Sequence, residues 1–149
     1  TEGEWEYCCR AGTATPFWIA EPNYTSGNCD WHLHDPGTWP QLESAAWFMA
    51  NMYDPAGMAI SKPVATKAAN PWGLYDTHGN VYEWCWDWSA AYPAGSATNY
   101  EGATTGSGRV VRGGGWYDIA AYCRSARRGD NSPGSRGYNL GFRLVRTIG

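Results

Sequence analysis

The segment from Val81 to Trp88 alternates between two kinds of side chain, and this pattern constrains the fold more than any other feature of the chain. One set is entirely aromatic: Tyr82, Trp84, Trp86 and Trp88. The other set is smaller or polar: Val81, Glu83, Cys85 and Asp87. A period of two residues places the two sets on opposite faces of a β-strand. We therefore predict a strand here, with the aromatic set packed in the core.

Three further segments predict regular structure. Residues 109–116 (RVVRGGGW) predict a short strand that runs into a glycine triplet, where the backbone turns or approaches a neighbour closely. Residues 140–147 (LGFRLVRT) alternate like a strand, and we expect their arginines to form fork-shaped bonds with carboxylates or carbonyls. Residues 1–10 predict a helix whose first residue is the N-cap and whose Glu4 completes a capping box. Residues 13–61 show little periodicity.

The composition favours one loop-rich domain. A chain of 149 residues has the size of one domain, and we expect residues 1–149 to form a single one. Ten Trp and ten Tyr compensate for few aliphatic residues, because each large aromatic side chain buries roughly 150–250 Å². We therefore predict an aromatic core wrapped by loops. The 19 Gly and 9 Pro favour turns and short strands over long helices.

Charge and hydropathy argue against two classes of partner. The net charge is -3 and there is no basic run, so the sequence carries no electrostatic signature of nucleic-acid binding. No apolar run reaches the length of a membrane span.

The cysteines and histidines give no strong metal or disulfide signal. Five irregularly spaced cysteines fit neither a disulfide framework nor zinc spacing. We expect Cys8 and Cys9 to be buried as small hydrophobic residues. Within residues 28–36, two histidines lie two positions apart beside aspartates, but a metal site would need a third convergent ligand. We therefore interpret these histidines as surface or hydrogen-bonded residues.

Five motifs together resemble one known family. They are TEGEWEYCCRAG, NPWGLYDTHGNVYEWCWDW, RVVRGGGW, CRSARR and NLGFRLVR. Spread over nearly the whole chain, they resemble the C-terminal half of the formylglycine-generating enzyme family, also called the sulfatase-modifying-factor domain. The resemblance implies an α+β, C-type-lectin-like fold, irregular and loop-rich, with short antiparallel strands and few helices. It also leads us to expect that an N-terminal portion of the domain precedes Thr1.

The resemblance implies a structural calcium ion at the Gly-Asn-x-x-Glu segment that begins at Gly79. Its side-chain ligands would be Asn80 and Glu83, because a hard cation prefers amide, carbonyl and carboxylate oxygens. Glu83 needs a partner in any case, since a carboxylate inside a strand is costly to bury alone. The alternative partner is an arginine such as Arg112 or Arg143.

The resemblance does not carry the family's catalytic site into this chain. Active members use two cysteines, between the glycine-rich turn and the CRSARR-like segment, to hold a copper(I) ion that activates oxygen, and soft thiolates suit that ion. Here Ala120 stands where the second cysteine is expected, and Cys123 is the lone thiol of the region. We therefore expect no copper and a non-catalytic ligand- or protein-binding domain. The alternative is a formylglycine-generating oxidase that acts on a Cys-x-Pro-x-Arg motif.

Residues 117–139 contain no Glu, Gln, Lys, Met or Trp. These five residue types are the ones that remain unreachable when the first two bases of an Asn AAC codon are randomised, which is how diversity-generating retroelements mutate adenines. The segment also resembles the variable region of the C-type-lectin-like target proteins of those elements. In this resemblance, some positions stay fixed: Arg112, Gly113, Trp116, Cys123, Arg128, Gly141 and Phe142.

The changeable positions between them form the predicted binding surface. They are Tyr117, Asp118, Ile119, Tyr122, Arg127, Asp130, Asn131, Ser132, Ser135, Tyr138 and Asn139. Tyr, Ser, Asn and Arg provide rigid contacts and adaptable hydrogen bonds, as they do in antibody loops. We expect these side chains to share one exposed face, and a protein or surface ligand as partner, met at the cell surface or outside the cell if the segment is diversified. The alternative is the turn-rich loop of an undiversified module.

Overall fold

The computed structural model describes residues 1–22, 24, 38–53 and 56–145. In these ranges the helices are α1 (Glu2–Arg10) and α2 (Pro40–Ala45), and the strands are β1 (Tyr82–Trp88), β2 (Arg109–Arg112), β3 (Arg128–Asn131) and β4 (Leu140–Gly141). Single 3₁₀ turns cover Met49–Asn51 and Ala120–Cys123. Few helices and short strands confirm the predicted α+β, C-type-lectin-like class. None of the helices described is long and apolar enough to cross a membrane.

The first helix forms as its sequence predicts. The Thr1 side chain accepts a hydrogen bond from the Glu4 backbone N–H, and the Glu4 side chain reaches back to complete the capping box. Ala11 adopts a left-handed conformation, and its N–H donates to the Tyr7 carbonyl, which ends the helix at Arg10.

The four strands form one sheet in the order β3-β2-β1-β4. β1 and β2 are antiparallel, as are β2 and β3, whereas β1 and β4 are parallel, so the sheet is mixed rather than purely antiparallel. The strand predicted over 140–147 is wrong in length, because β4 contains two residues and residues 142–145 form no strand; residues 146 and 147 lie outside the described residues. Beyond it Leu144 is 86% exposed, and the Arg143 side chain folds back to bond the Tyr75 carbonyl and Glu83.

The buried face of β1 is the opposite of the predicted one. Glu83, Cys85 and Asp87 are buried, whereas Trp86 is 77% exposed and the other three rings are half-buried. The reason is that α1 covers the polar face and supplies its partners. The Trp5 indole donates to Glu83 at 2.7 Å, and the Glu2 backbone N–H donates to Asp87 at 2.7 Å.

The main core is aromatic, as predicted, but its rings come from loops rather than from β1. Its buried members are Phe17, Trp39, Leu42, Ala46, Phe48, Ala50, Ala120 and Cys123. Most of them lie within the stretch of weak periodicity, where α2 escaped prediction. Sequence pattern fails there because these residues are buried by tertiary contacts from several directions rather than on one face of an element.

Candidate binding surface

The glycine triplet turns the chain from β2 toward the candidate surface. Gly113 and Gly114 have φ values of +94° and +74°, in the left-handed region where glycine is free of Cβ strain. A Cβ on Gly114 would lie 2.8 Å from the Cys123 sulfur and 3.0 Å from the Tyr122 carbonyl oxygen. The turn therefore packs directly against the backbone that carries the candidate residues, as the sequence predicted.

An aromatic cluster follows the turn. Trp116 is buried, and its ring centroid lies 5.6 Å from that of Tyr117 and 5.8 Å from that of Tyr138. The two tyrosines are 57% and 79% exposed. A fixed tryptophan thus brings together two candidate residues that are distant in sequence.

Two further candidates lie beside Gly115. The Asp118 carboxylate accepts a hydrogen bond from the Gly115 backbone N–H at 2.8 Å, and burial raises the pKa of Asp118. The Asn139 carbonyl accepts from the Tyr82 backbone N–H at 2.8 Å. Burial also raises the pKa of Tyr82, which hydrogen-bonds Asp118. Asp118 therefore helps to hold the loop and is less available to a ligand than its neighbours.

The remaining candidates follow β3 and its ends. The Arg127 guanidinium stacks 4.4 Å from the Tyr122 ring centroid, just before the strand. Asp130 and Asn131 belong to β3, an edge strand of the sheet. After the strand, the Ser135 N–H donates to the Ser132 carbonyl at 2.8 Å and closes a turn. Ile119, half-buried, leads into the 3₁₀ turn.

The buried residues of the segment all lie outside the candidate set, although other residues outside it, such as Ala126 and Arg136, are exposed as well. All eleven candidate residues are described, and none of them is buried; Tyr117, Asp130, Ser132 and Tyr138 are exposed. The buried residues of 117–139 are Ala120, Ala121, Cys123 and Ser125. Among the fixed positions, Arg112, Gly113, Trp116 and Cys123 are buried, but Phe142 is 72% exposed. Whether all eleven share one face stays a prediction.

The three buried thiols of the described ranges, Cys9, Cys85 and Cys123, lie in environments that disfavour the reactive thiolate. Ala120 is 4% exposed in the core beside Cys123, and burial raises the pKa of Cys123 well above its usual value. Burial also raises the pKa of Cys9 to about 11 and that of Cys85 to about 12. Cys9 is buried as predicted, but Cys8 is only half-buried, which corrects that part of the prediction.

Sequence reasoning missed one buried titratable residue, His78. It is fully buried; its Nδ1 lies 2.8 Å from the Cys123 carbonyl oxygen, and its Nε2 accepts from the Trp18 N–H. Burial lowers the pKa of His78 to about 4, so the ring is neutral at pH 7. Its two hydrogen bonds connect the segment before β1 to the segments around Trp18 and Cys123. Nothing in the local sequence distinguishes it from a surface histidine. The two histidines within 28–36 lie outside the described residues.

The predicted calcium ligands already have protein partners. Both oxygens of Glu83 accept from Arg143, at 2.6 and 3.0 Å, so the arginine alternative is the arrangement observed. Both ends of the Asn80 amide bind the backbone of Lys62. However, Asp76 Oδ1 is buried without a hydrogen-bond partner in the described ranges. Asp76 lines a pocket of about 310 Å³ together with Asn80 and Glu83.

A hard cation in this pocket would therefore bind through Asp76, and through Glu83 only if Arg143 released one of its oxygens, rather than through the Asn80 side chain. Sequence reasoning missed Asp76, although it stands only three residues before Gly79 in the same motif.

The sequence pattern of the sulfatase-modifying factor enzyme 1-like domain matches residues 1–148. The chain belongs to this family. It is 38% identical over 151 residues to the formylglycine-generating enzyme of Streptomyces coelicolor. This match covers 97% of the chain and 45% of the enzyme.

Two solved structures are similar to this sulfatase-modifying-factor domain. Treponema denticola variable protein 1 is 38% identical, with a TM-score of 0.73 over 95% of this chain and 44% of that protein. PvdO from Pseudomonas aeruginosa is 30% identical, with a TM-score of 0.65 over 95% of this chain and 49% of PvdO. The chain thus spans less than half the length of these relatives. Both resemblances drawn from the sequence, to the enzyme family and to retroelement variable proteins, are confirmed.

Proposed function

We propose that this sulfatase-modifying-factor domain is a non-catalytic binding module that contacts a protein or surface ligand through residues 117–139. The observation that carries the proposal is the burial pattern of that segment, in which every position assigned to binding reaches the surface. The similarity to a variable protein supports a binding role. The segment either varies by retroelement mutagenesis or belongs to an undiversified module.

The competing function is formylglycine generation, and the identity to the Streptomyces coelicolor enzyme favours it. A copper(I) site made of two thiolates requires a second sulfur near Cys123. The position where the second cysteine is expected holds Ala120, which has no sulfur. Purified protein is therefore expected neither to bind copper(I) stoichiometrically nor to convert a Cys-x-Pro-x-Arg peptide to the aldehyde. Mass spectrometry of the peptide after incubation with copper(I) and oxygen decides between the two functions.

The binding role predicts tolerance to substitution at the exposed candidate positions. The variant Tyr117→Ser, Asp130→Ser, Ser132→Tyr and Tyr138→Ser is expected to keep its melting temperature within about 8 °C of wild type. Each surface change costs about 0.5 kcal/mol or less, and a total of about 2 kcal/mol shifts the melting temperature of a domain of this size by about 4–8 °C. A library randomised at all eleven positions and displayed on phage is expected to yield binders to purified folded proteins.

The matched control is Ala121→Tyr, a buried position in the same segment. It is expected to lower the melting temperature strongly, because overpacking a core costs about 1–3 kcal/mol or more. Unfolding of the four-site variant, or a library without binders, would contradict the proposal. For diversification, the decisive observation is a nearby near-copy of the codons for residues 116–143 that differs only at adenines, beside a reverse transcriptase.

We also propose a structural calcium ion in the Asp76 pocket, with Asp76 and Glu83 as its side-chain ligands. Binding would require Arg143 to release at least one oxygen of Glu83. Adding calcium is expected to raise the melting temperature of wild type but not of Asp76→Asn, because a ligand that binds only the folded state stabilises it. Asp130→Asn, which removes an exposed carboxylate, is the control. An equal response of Asp76→Asn and wild type would argue against this site.

A further inference from the structure

Two arginines of the sheet are neutralised on the face that α1 covers. Arg112 on β2 and Arg128 on β3 are cross-strand partners. Arg112 is fully buried and pairs with Glu6, while Arg128 bonds both oxygens of Glu2, at 2.6 and 2.8 Å. Their charges are therefore satisfied within the domain.

Two other arginines lie on the opposite face. Arg109 is three residues before Arg112, and Arg127 directly precedes Arg128, so the two-residue period of a strand directs both away from α1. Within the described ranges, neither has a carboxylate within 4.0 Å, the limit that the observed ion pairs reach.

Each of these two guanidinium groups is held by an aromatic ring. The Arg109 guanidinium carbon lies 3.7 Å from the Trp88 ring centroid and 5.0 Å from that of the exposed Trp86. Arg127 stacks on Tyr122. Stacking on a ring fixes the guanidinium plane. Arg109 also donates one N–H to the Trp86 carbonyl oxygen, and its remaining N–H groups stay available at the edge for a carboxylate. Little side-chain freedom is then left to lose on binding.

The two groups lie at opposite ends of β3. Arg109 is the strand partner of Asn131, the last residue of β3, and Arg127 directly precedes the first. Four residue steps separate Arg127 from Asn131, which corresponds to about 13 Å along an extended strand. The predicted binding surface therefore has a preorganised cation near each end of its edge strand.

The charge of this region opposes that of the rest of the chain. Residues 109–139 contain six arginines and two aspartates, a net charge of +4, whereas the remaining five cations and twelve acids give -7. Subtracting Arg112 and Arg128, which pair with glutamates of α1, still leaves +2 on the segment. Such a surface steers acidic partners toward itself and repels basic ones.

We propose that the binding surface recognises an acidic segment of a protein, with Arg109 and Arg127 donating to its carboxylates and Trp86 contacting its apolar atoms. The inference rests on the proposed function, because it concerns the same surface. A protein fits better than a nucleic acid or an anionic membrane, because the chain has a net charge of -3 and no basic run to follow a continuous row of phosphates. Trp, Tyr and Arg are also the residues that dominate protein interfaces.

The test measures binding of the full chain to immobilised poly-L-glutamate. Wild type is expected to bind, with an affinity that falls as salt increases. Arg109→Gln and Arg127→Gln are each expected to weaken binding about tenfold, because each removes a charge-assisted hydrogen-bond donor. Arg10→Gln is the matched control: it removes the same charge from α1, where Arg10 pairs with Glu6, and is expected to change affinity less than twofold.

Heparin, single-stranded DNA and phosphatidylserine vesicles serve as competing probes. Tighter binding to any of them, no binding to poly-L-glutamate, or an equal loss in Arg10→Gln would overturn the proposal. Melting curves confirm that each variant is folded. If Arg109→Gln is unfolded, Arg127→Gln alone tests the proposal. If the phage library yields binders but the protein does not bind poly-L-glutamate, only the proposal of an acidic partner is rejected. If both experiments fail, the proposed binding function is rejected as well.

Discussion

Gly79→Ala is expected to unfold the domain under conditions in which the wild type is folded. Gly79 has a φ of +76°, in the left-handed region. An added Cβ would lie 2.1 Å from the Trp47 carbonyl oxygen and 2.9 Å from its carbonyl carbon. Both atoms belong to the backbone, so no side-chain rotation relieves the clash.

The clash falls where three parts of the chain meet. The Gly79 N–H donates to the Gly113 carbonyl at 2.7 Å, and the Asn80 N–H donates to the Trp47 carbonyl at 2.7 Å. Moving either backbone away would break these bonds, which join the segment around Trp47 to the glycine turn and to the start of β1. We expect a loss of at least about 4 kcal/mol in the free energy of unfolding, since backbone strain and lost hydrogen bonds act together.

Urea denaturation followed by circular dichroism measures the effect, and Gly95→Ala is its matched control. Gly95 has a φ of +86°, but a Cβ there would meet no atom within 4 Å. It therefore carries the left-handed penalty alone, about 1–2 kcal/mol. Similar losses in the two variants would show that the contact with Trp47 relaxes and that φ alone sets the cost.

Local chemistry explains which elements could be predicted. The capping box fixes the start of α1 because its donors and acceptors lie within four residues of each other. Likewise, the glycine triplet predicted a close backbone approach, which Cys123 provides. Arg143 was named beforehand as one of two possible partners of Glu83, since a buried carboxylate requires a cation.

The orientation of β1 could not be predicted for an equally physical reason. A period of two residues defines two faces but does not say which one is buried. Which face of β1 is buried depends on Trp5, Arg143 and the Glu2 backbone N–H. These groups lie 60 to 85 residues away in sequence from their partners in β1. The exposure of the candidate positions was easier to predict, because most of them lie in the loops on either side of β3. Asp76 could not be singled out because its importance depends on one buried oxygen, Oδ1, that has no hydrogen-bond partner in the described ranges, which only tertiary structure reveals.

Glu2→Gln is expected to have the second-largest effect, a loss of about 3–5 kcal/mol, since removing one member of a buried ion pair leaves a charge uncompensated. Glu2 is 4% exposed and lies between two arginines. Its carboxylate forms a fork with Arg128, and its Oε2 lies 4.0 Å from Nε of the fully buried Arg112. That Nε has no hydrogen-bond partner in the described ranges. Neutralising Glu2 therefore removes the counter-charge of Arg128 and the carboxylate that lies 4.0 Å from the Arg112 Nε, while Glu6 still pairs with Arg112.

Thermal and urea unfolding of Glu2→Gln, with Glu101→Gln as an exposed control, measures this loss. The control is expected to change stability by about 0.5 kcal/mol or less. Adding Arg128→Gln to Glu2→Gln is expected to recover part of the loss, because the unpaired cation is then removed as well. Equal stability of Glu2→Gln and Glu101→Gln would contradict a stabilising role for the cluster.

The same variant tests the separation of the two faces of the sheet. Arg112 and Arg128 face α1, whereas Arg109 and Arg127 face the candidate surface and make no ion pair with Glu2 in the described ranges. The folded fraction of Glu2→Gln is therefore expected to bind poly-L-glutamate as wild type does. If the folded variant bound poly-L-glutamate with a different affinity, the ion pairs on the α1 face of the sheet would influence binding at the opposite face.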